Sequence, residues 1–215
     1  MALEAAGVAV CNPAEVVRWN ADKGYLGELA ASGVPSIPTL WPDDPGAAEI
    51  GAAFEHFDTP RVVVKRRVGA GAVGQDCFTR AAPPPPGWRL GQPGMIQPFL
   101  PAIESEGDFS FVFIDGELSH ALIKRPKPGD YRIQSLYGGR ETALDPGPTE
   151  RAAAEAVIAA LPFAEAPLYA RIDMVRGLDG ALAVIEAELI EPYLYPEQGP
   201  DLGRLLGQAV LKRLG

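Results

Sequence analysis

Two periodicities divide the chain. Period-two alternation marks strands, and apolar residues recurring every three to four positions mark helices. In DFSFVFIDGELSHALIK (108–124), Phe109, Phe111 and Phe113 alternate with Ser110, Val112 and Ile114, and Asp115-Gly116 supplies a tight turn. That pattern predicts a half-buried hairpin. LYARIDMVRGLDGALAVIEAEL (168–189) predicts a second hairpin turning around Leu178-Asp179. RVVVKRRV (61–68) reads as a β-branched strand, and MIQPFLP (95–101) as a strand stopped by prolines. Helical spacing appears over residues 21–32, with Asn20 as cap, Tyr25, Leu26 and Leu29 as the apolar stripe and Gly33 as the stop. Further helices are expected over 47–57, over 149–161 with Thr149 as cap, and over 201–214. LEAAGVAVCNP (3–13) reads as the last turn of a helix, a glycine stop, a short strand and a turn. Residues 1–12 are therefore expected to be the remnant of an N-terminal domain. Hairpins dominate and helices are not interleaved one per strand, so the fold class is α+β.

The chain has 215 residues, 47% of them hydrophobic, enough for one large domain or two small lobes with a real core. Two cysteines and two histidines argue against a zinc centre and against a disulfide framework. A net charge of −9 without a basic run argues against nucleic acid as a partner. No apolar run approaches a membrane span and no secretory pattern opens the chain, so a cytoplasmic protein without membrane association is expected.

The run ALAVIEAELIE (181–191) sets glutamates in an otherwise apolar stretch. With Gly177 opposite Gly180 at the turn, Asp173 would face Val184 and Arg171 would face Glu186. Ile172 and Met174 would then share a core face with Ala183, Ile185 and Ala187. Arg171 and Asp173 would share the other face with Glu186 and Glu188. A plain cross-strand salt bridge is one reading. Three carboxylates around one arginine leave excess negative charge, however, and a hard divalent cation with oxygen ligands resolves it.

GAGAVG (69–74) matches the spacing of a dinucleotide loop but lacks the following helix and the acidic residue further on. It also lacks the Gly-Lys-Ser/Thr of a P-loop. A glycine turn between strands, preceded by Lys65, suits a flap whose amides cover phosphates. Lys65 and Lys124 each end an apolar run, and Arg132 follows a proline pair. Singly, each reads as a snorkelling cation. Together with the carboxylates they describe Mg2+-nucleotide binding without a P-loop.

NPAEVVRWNADKGYL (12–26), VVVKRRVGAGAVG (62–74), IQPFL (96–100), EGDFSFVFIDGELSHALIK (106–124) and ARIDMV…VIEAELIEP (170–192), in that order, resemble the ATP-grasp superfamily. The likeness is greatest to its glutathione-synthetase-like, ribosomal-S6-modifying-like and cycloserine-forming ligases. It implies ATP sandwiched between two α+β lobes with antiparallel sheets, a small one over 13–95 and a C-terminal one over 96–215. It implies that Lys23 and Lys65 hold phosphates beneath a flap containing Gly69, Gly71 and Gly74. Gln97, Pro98, Phe99 and Leu100 would meet the adenine, and Asp108 the ribose. Asp173, Glu186 and Glu188 would ligate Mg2+; many relatives carry asparagine at the last position, so the cluster here holds one more charge. Arg171, Arg132 and Lys124 would stabilise the transferred phosphoryl group, with His120 a neighbour. The implied activity is an ATP- and Mg2+-dependent joining of a small carboxylate to an amine or similar nucleophile through an acyl-phosphate. The alternative is a non-catalytic ATP-binding or interaction protein that has lost its acceptor-substrate domain. A homo-oligomer is the expected means of covering apolar surface left by that loss.

Overall fold

A computed structural model describes residues 2–69, 74–127 and 139–215. In chain order the elements are α1 (Ala2–Ala5), α2 (Ala14–Asn20), α3 (Tyr25–Ala31), α4 (Ala47–His56), β1 (Arg61–Arg66), β2 (Asp76–Thr79) and β3 (Gly94–Pro98). They continue with α5 (Ala102–Ser105), β4 (Asp108–Ile114), β5 (Glu117–Arg125), β6 (Arg140–Leu144), α6 (Pro148–Ala159), β7 (Tyr169–Arg176), β8 (Leu182–Glu188) and α7 (Leu202–Leu214). The strands form two antiparallel sheets, a three-stranded one ordered β2-β1-β3 and a five-stranded one ordered β6-β5-β4-β7-β8. The α+β expectation holds.

Helix α4 lays Ile50, Ala53 and Phe54 on Val62, Val64 and Ile96 of the small sheet. The five-stranded sheet is covered on both faces. Phe109, Phe111 and Phe113 point into a cluster with Leu26 and Leu29 of α3 and Ala154 and Val157 of α6. Val112 and Ile114 point the other way, against Leu202 and Ala209 of α7. All seven residues of β4 are therefore buried, not half of them as expected from the alternation. Alternation in sequence records two faces, and here a second helix layer has dried the face that the pattern leaves open. Asp115 and Gly116 close the first hairpin, both with positive φ, as an Asp-Gly turn requires. Asp115 also pairs with Lys212 and Arg213 at 2.6 Å, fastening the end of α7 to that turn.

Several local expectations are corrected. The helix expected over 21–32 starts only at Tyr25, as α3, and a separate α2 precedes it, so Asn20 ends α2 instead of capping a new helix. Its amide is used elsewhere: Nδ2 donates to the Ala187 carbonyl (2.6 Å) and Oδ1 accepts from the Leu189 amide (2.9 Å). The break falls where Asp22 accepts from the Gly24 amide (2.8 Å), a local turn that competes with helix. Residues 8–10 form no strand. Helix α6 starts at Pro148 with Gly147 at the cap position, so proline at the first turn outweighs Thr149. The short elements β2, α5 and β6 lie in stretches whose pattern is too brief to read as strand or helix.

Candidate functional site

One face of the five-stranded sheet carries the charge. Strand pairing sets Asp108 opposite Lys124 and Ser110 opposite Asp173, then Asp173 opposite Glu186 and Arg171 opposite Glu188. The expected partners, Asp173 with Val184 and Arg171 with Glu186, are displaced by a β-bulge between Asp173 and Met174, where Ile185 is the extra residue on β8. A bulge changes which residues share a face. Val184 sits with Met174 in the α6-side core, and Ala183 and Ile185 join Val175 on the charged side, so of the expected core set of Ala183, Ile185 and Ala187 only Ala187 lies in the α6-side core. The bulge brings each carboxylate of β8 directly across from a charged residue of β7.

Arg171 grips Asp173 through Nη2 (2.9 Å), contacts Glu188, and donates Nη1 to the Tyr193 carbonyl (3.1 Å). Lys124 lies 3.2 Å from Asp173 and 3.3 Å from Asp108, all three side chains being buried. Ser110 donates its hydroxyl to Asp173. Burial alone would raise the Asp173 pKa; the Arg171 and Lys124 charges overcome it and hold the carboxyl well below the usual range. Burial raises the Asp108 pKa, and the Lys124 charge beside it pulls it back down. It raises Glu188 to about 7, with Asp173 and Glu186 adding repulsion against the pull of Arg171.

Lys23 joins the two sheets. Its ammonium lies 2.9 Å from Glu186 and donates to the Gly69 carbonyl at 2.7 Å, while its amide donates to the Arg67 carbonyl at 2.9 Å. Lys23 thus sits in the turn between α2 and α3, not in the first turn of a helix. Lys65, on β1, makes no hydrogen bond or ion pair among the described residues; burial lowers its pKa, Lys23 lowers it further, and Glu186 opposes both. Gly74 has φ +72°, and a Cβ there would stand 2.2 Å from Arg66 Nε, so the chain returns past β1 only as glycine.

At the end of β3, Gln97 donates to Thr39 (3.0 Å), the Phe99 amide donates to the Arg61 carbonyl (2.9 Å), and Arg61 stacks 3.2 Å above the Phe99 ring. Pro98 pairs with Val62. Leu100 packs with Ile37, Val175 and Ala183, an apolar patch beside the charged face with Ile185 at its edge. His120 is on the charged face but one turn of strand away, held by the Leu194 carbonyl and Ser119 at 3.0 Å each. Arg132 and Gly71 lie outside the described residues. Three contributors escaped the sequence reading: Asn20, Ser110 and Tyr25, whose buried hydroxyl accepts from the Ala187 amide (3.0 Å) between the two glutamates. Ser110 left a signal, being the only hydroxyl in an aromatic and branched strand.

Among the described residues, no three His, Cys, Asp or Glu side chains converge as a ready metal site. Asp173, Glu186 and Glu188 are each turned to a cation of the protein. The donor set still fits Mg2+: hard carboxylate oxygens, with Glu188 raised first by burial and then by the Asp173 and Glu186 charges, which a divalent ion would offset.

Two antiparallel sheets tied by a lysine, with Lys65 on the small one and the carboxylate cluster with Arg171 and Lys124 on the large one, fit an ATP-grasp ligase, and the chain belongs to the ATP-grasp superfamily. It is 31% identical over 219 residues to the cycloserine biosynthesis protein DcsG of Streptomyces lavendulae, covering 94% of this chain and 72% of that one. It is 33% identical over 189 residues to a glutathione synthetase of Prochlorococcus marinus, of which it spans 56%. The crystal structure of D-cycloserine synthetase DcsG superimposes with a TM-score of 0.83 at 28% identity, over 98% of this chain and 76% of that one. The D-alanine–D-alanine ligase of Bacillus anthracis follows the same fold, with a TM-score of 0.70 at 16% identity over 98% of this chain and 73% of that one. No family model matches the chain. The relatives named above are ligases and synthetases, and solved neighbours of the same fold hold ATP, or Mg and ADP. No described helix is long and apolar enough to cross a membrane.

Proposed function

We propose that Mg2+-ATP binds between the two sheets and that the site activates a small, amino-acid-derived carboxylate for capture by an amine or similar nucleophile. The observation that carries the site assignment is Lys23, whose one ammonium touches both the Gly69 loop and Glu186. The amino-acid character of the acid is taken from the names of the relatives, whose products are built from amino acids. The cytoplasm, where Mg2+-ATP is made and kept, is the proposed compartment.

In this reading Lys23 and Lys65 hold the phosphates beside Gly69, whose carbonyl accepts from the Lys23 ammonium. The apolar patch of Leu100, Ile37, Val175, Ala183 and Ile185 flanks the adenine below the strand end at Gln97, Pro98 and Phe99. Asp173, Glu186 and Glu188 hold Mg2+, and Arg171 and Lys124 face the reacting phosphoryl group. ATP supplies the phosphoryl group and Mg2+ spreads the charge that builds on it. The protein's share is positioning and charge: the guanidinium of Arg171 and the ammonium of Lys124 are pre-oriented by buried carboxylates, so they need no reorganisation as charge develops. No protein nucleophile is required.

An acyl-phosphate has a direct test. Hydroxylamine added to enzyme, Mg2+-ATP and a panel of amino-acid-derived acids captures an acyl-phosphate as a hydroxamate, with stoichiometric ADP. Hydroxamate from at least one acid, lost on Lys124→Gln, is the expected result. Binding of Mg2+-ATP with neither ADP nor hydroxamate formed across the panel would favour the non-catalytic reading.

A further inference from the structure

Lys124 is held almost midway between two carboxylates, 3.3 Å from Asp108 Oδ2 and 3.2 Å from Asp173 Oδ1. The placement is built into the backbone. Gly107 has φ +101°, and a Cβ there would lie 2.3 Å from the Lys124 carbonyl, so only glycine lets Asp108 approach this closely. The two carboxylates are loaded unequally. Asp173 Oδ1 also accepts from Ser110 and from Arg171 Nε (3.0 Å), and Oδ2 accepts from Arg171 Nη2 (2.9 Å). Asp108, only 3% exposed, has an Oδ1 with no hydrogen-bond partner among the described residues.

A carboxylate already ringed by two cations is a poor ligand for a third, because each positive neighbour opposes the incoming one. Asp173 is in that position and Asp108 has acceptor capacity to spare. We infer that Asp108 is a positioning residue for Lys124: by sharing the ammonium it lessens the positive charge that Lys124 brings to Asp173 and so eases the approach of the Mg2+ that accompanies the nucleotide. This rests on the nucleotide-site reading above. It gives Asp108 a task different from contacting the ribose, and it explains why a short aspartate, level with Lys124, stands at that position.

The test is calorimetric titration of the full chain with the β,γ-imido analogue of ATP over a series of Mg2+ concentrations, reading the Mg2+ midpoint. Asp108→Asn is expected to raise that midpoint about tenfold, a modest part of one close charge contact at an effective dielectric near 20. In a Lys124→Gln background the same substitution should move the midpoint by less than about twofold, since the partner it acts through is gone. An equal shift in both backgrounds would mean a through-space loss of charge and overturn the inference. The 2′,3′-dideoxy form of the analogue should show the same penalty; a penalty that vanishes with it makes Asp108 a ribose ligand and also overturns the inference. Should Asp108→Asn fail to fold, Asp108→Glu, which keeps the charge, is expected to stay within about threefold of the wild-type midpoint, and a tenfold rise there would count against the inference. Wild-type protein without Mg2+-dependent binding would overturn the nucleotide site itself, and this inference with it. Wild-type binding with an unmoved Asp108→Asn midpoint would overturn this inference alone.

Discussion

Glu186→Gln separates a ligand-binding carboxylate from a structural one. Among the described residues Glu186 has one ion-pair partner, Lys23 at 2.9 Å, with side-chain exposures of 31% and 15%. A partly exposed pair of that kind is worth about 0–1 kcal/mol. The substitution also removes a negative charge that raises the Glu188 pKa, which offsets part of the loss. The empty variant should therefore unfold within about 3 °C of wild type, at about 2–4 °C per kcal/mol for a chain of this size. The liganded protein should differ sharply. At an analogue concentration about 100 times its dissociation constant, binding adds about 2.7 kcal/mol, a rise of about 5–11 °C. If loss of one charged ligand weakens Mg2+-nucleotide binding about 100-fold, the same concentration adds only about 0.4 kcal/mol, or about 1–2 °C. The assay is thermal unfolding of both proteins with and without the imido analogue and Mg2+. Equal ligand-induced shifts would refute the ligand role of Glu186. A large fall in the empty variant with no change in the shift would show the carboxylate to be structural.

Lys65→Met should remove the ligand-induced shift yet leave the empty protein as stable as before or more so, because the lysine is desolvated and unpaired among the described residues; a destabilised empty variant in thermal unfolding would contradict this. Tyr25→Phe leaves the buried Ala187 amide without an acceptor, an expected loss of about 1–3 kcal/mol in chemical denaturation; a neutral result would mean that the amide finds another partner. The pH response follows from Glu188, raised from 4.5 to about 7 in the folded protein. Between those values the folded protein holds a proton that the unfolded chain has released. Its contribution is therefore complete below pH 4.5 and lost as pH rises through about 7. The stability difference between wild type and Glu188→Gln should accordingly fall, at the expense of wild type, from pH 5 to pH 8. Mg2+ affinity should rise over the same range as the proton leaves its ligand, and a flat Mg2+ affinity profile would argue against ligation by Glu188.

Sequence by itself determined the elements with long, consistent patterns: both large hairpins, the small sheet's central strand and the amphipathic closing helix. It also determined the chemical inventory, since lysines ending apolar runs and glutamates inside them signal a site before any contact is known. Membership of one charged face was legible for Arg171, Asp173, Glu186 and Glu188 because side-chain direction alternates strictly along a strand. Tertiary structure decided the rest. The bulge at Ile185 depends on how β8 meets α3, α6 and β7 together, and it alone determines that Asp173 faces Glu186 and that Ala183 leaves the core. Full burial of β4 needed α7, nearly a hundred residues later in the chain, to fold back over it. The turn that delays the helix expected over 21–32 until Tyr25 draws on the β1 end, because Lys23 is held there by the Arg67 carbonyl. Local pattern reports which way a side chain points; what it meets is set by segments far away in sequence, and for Asp108 and Lys124 that distinction separates a snorkelling surface lysine from a buried, shared charge.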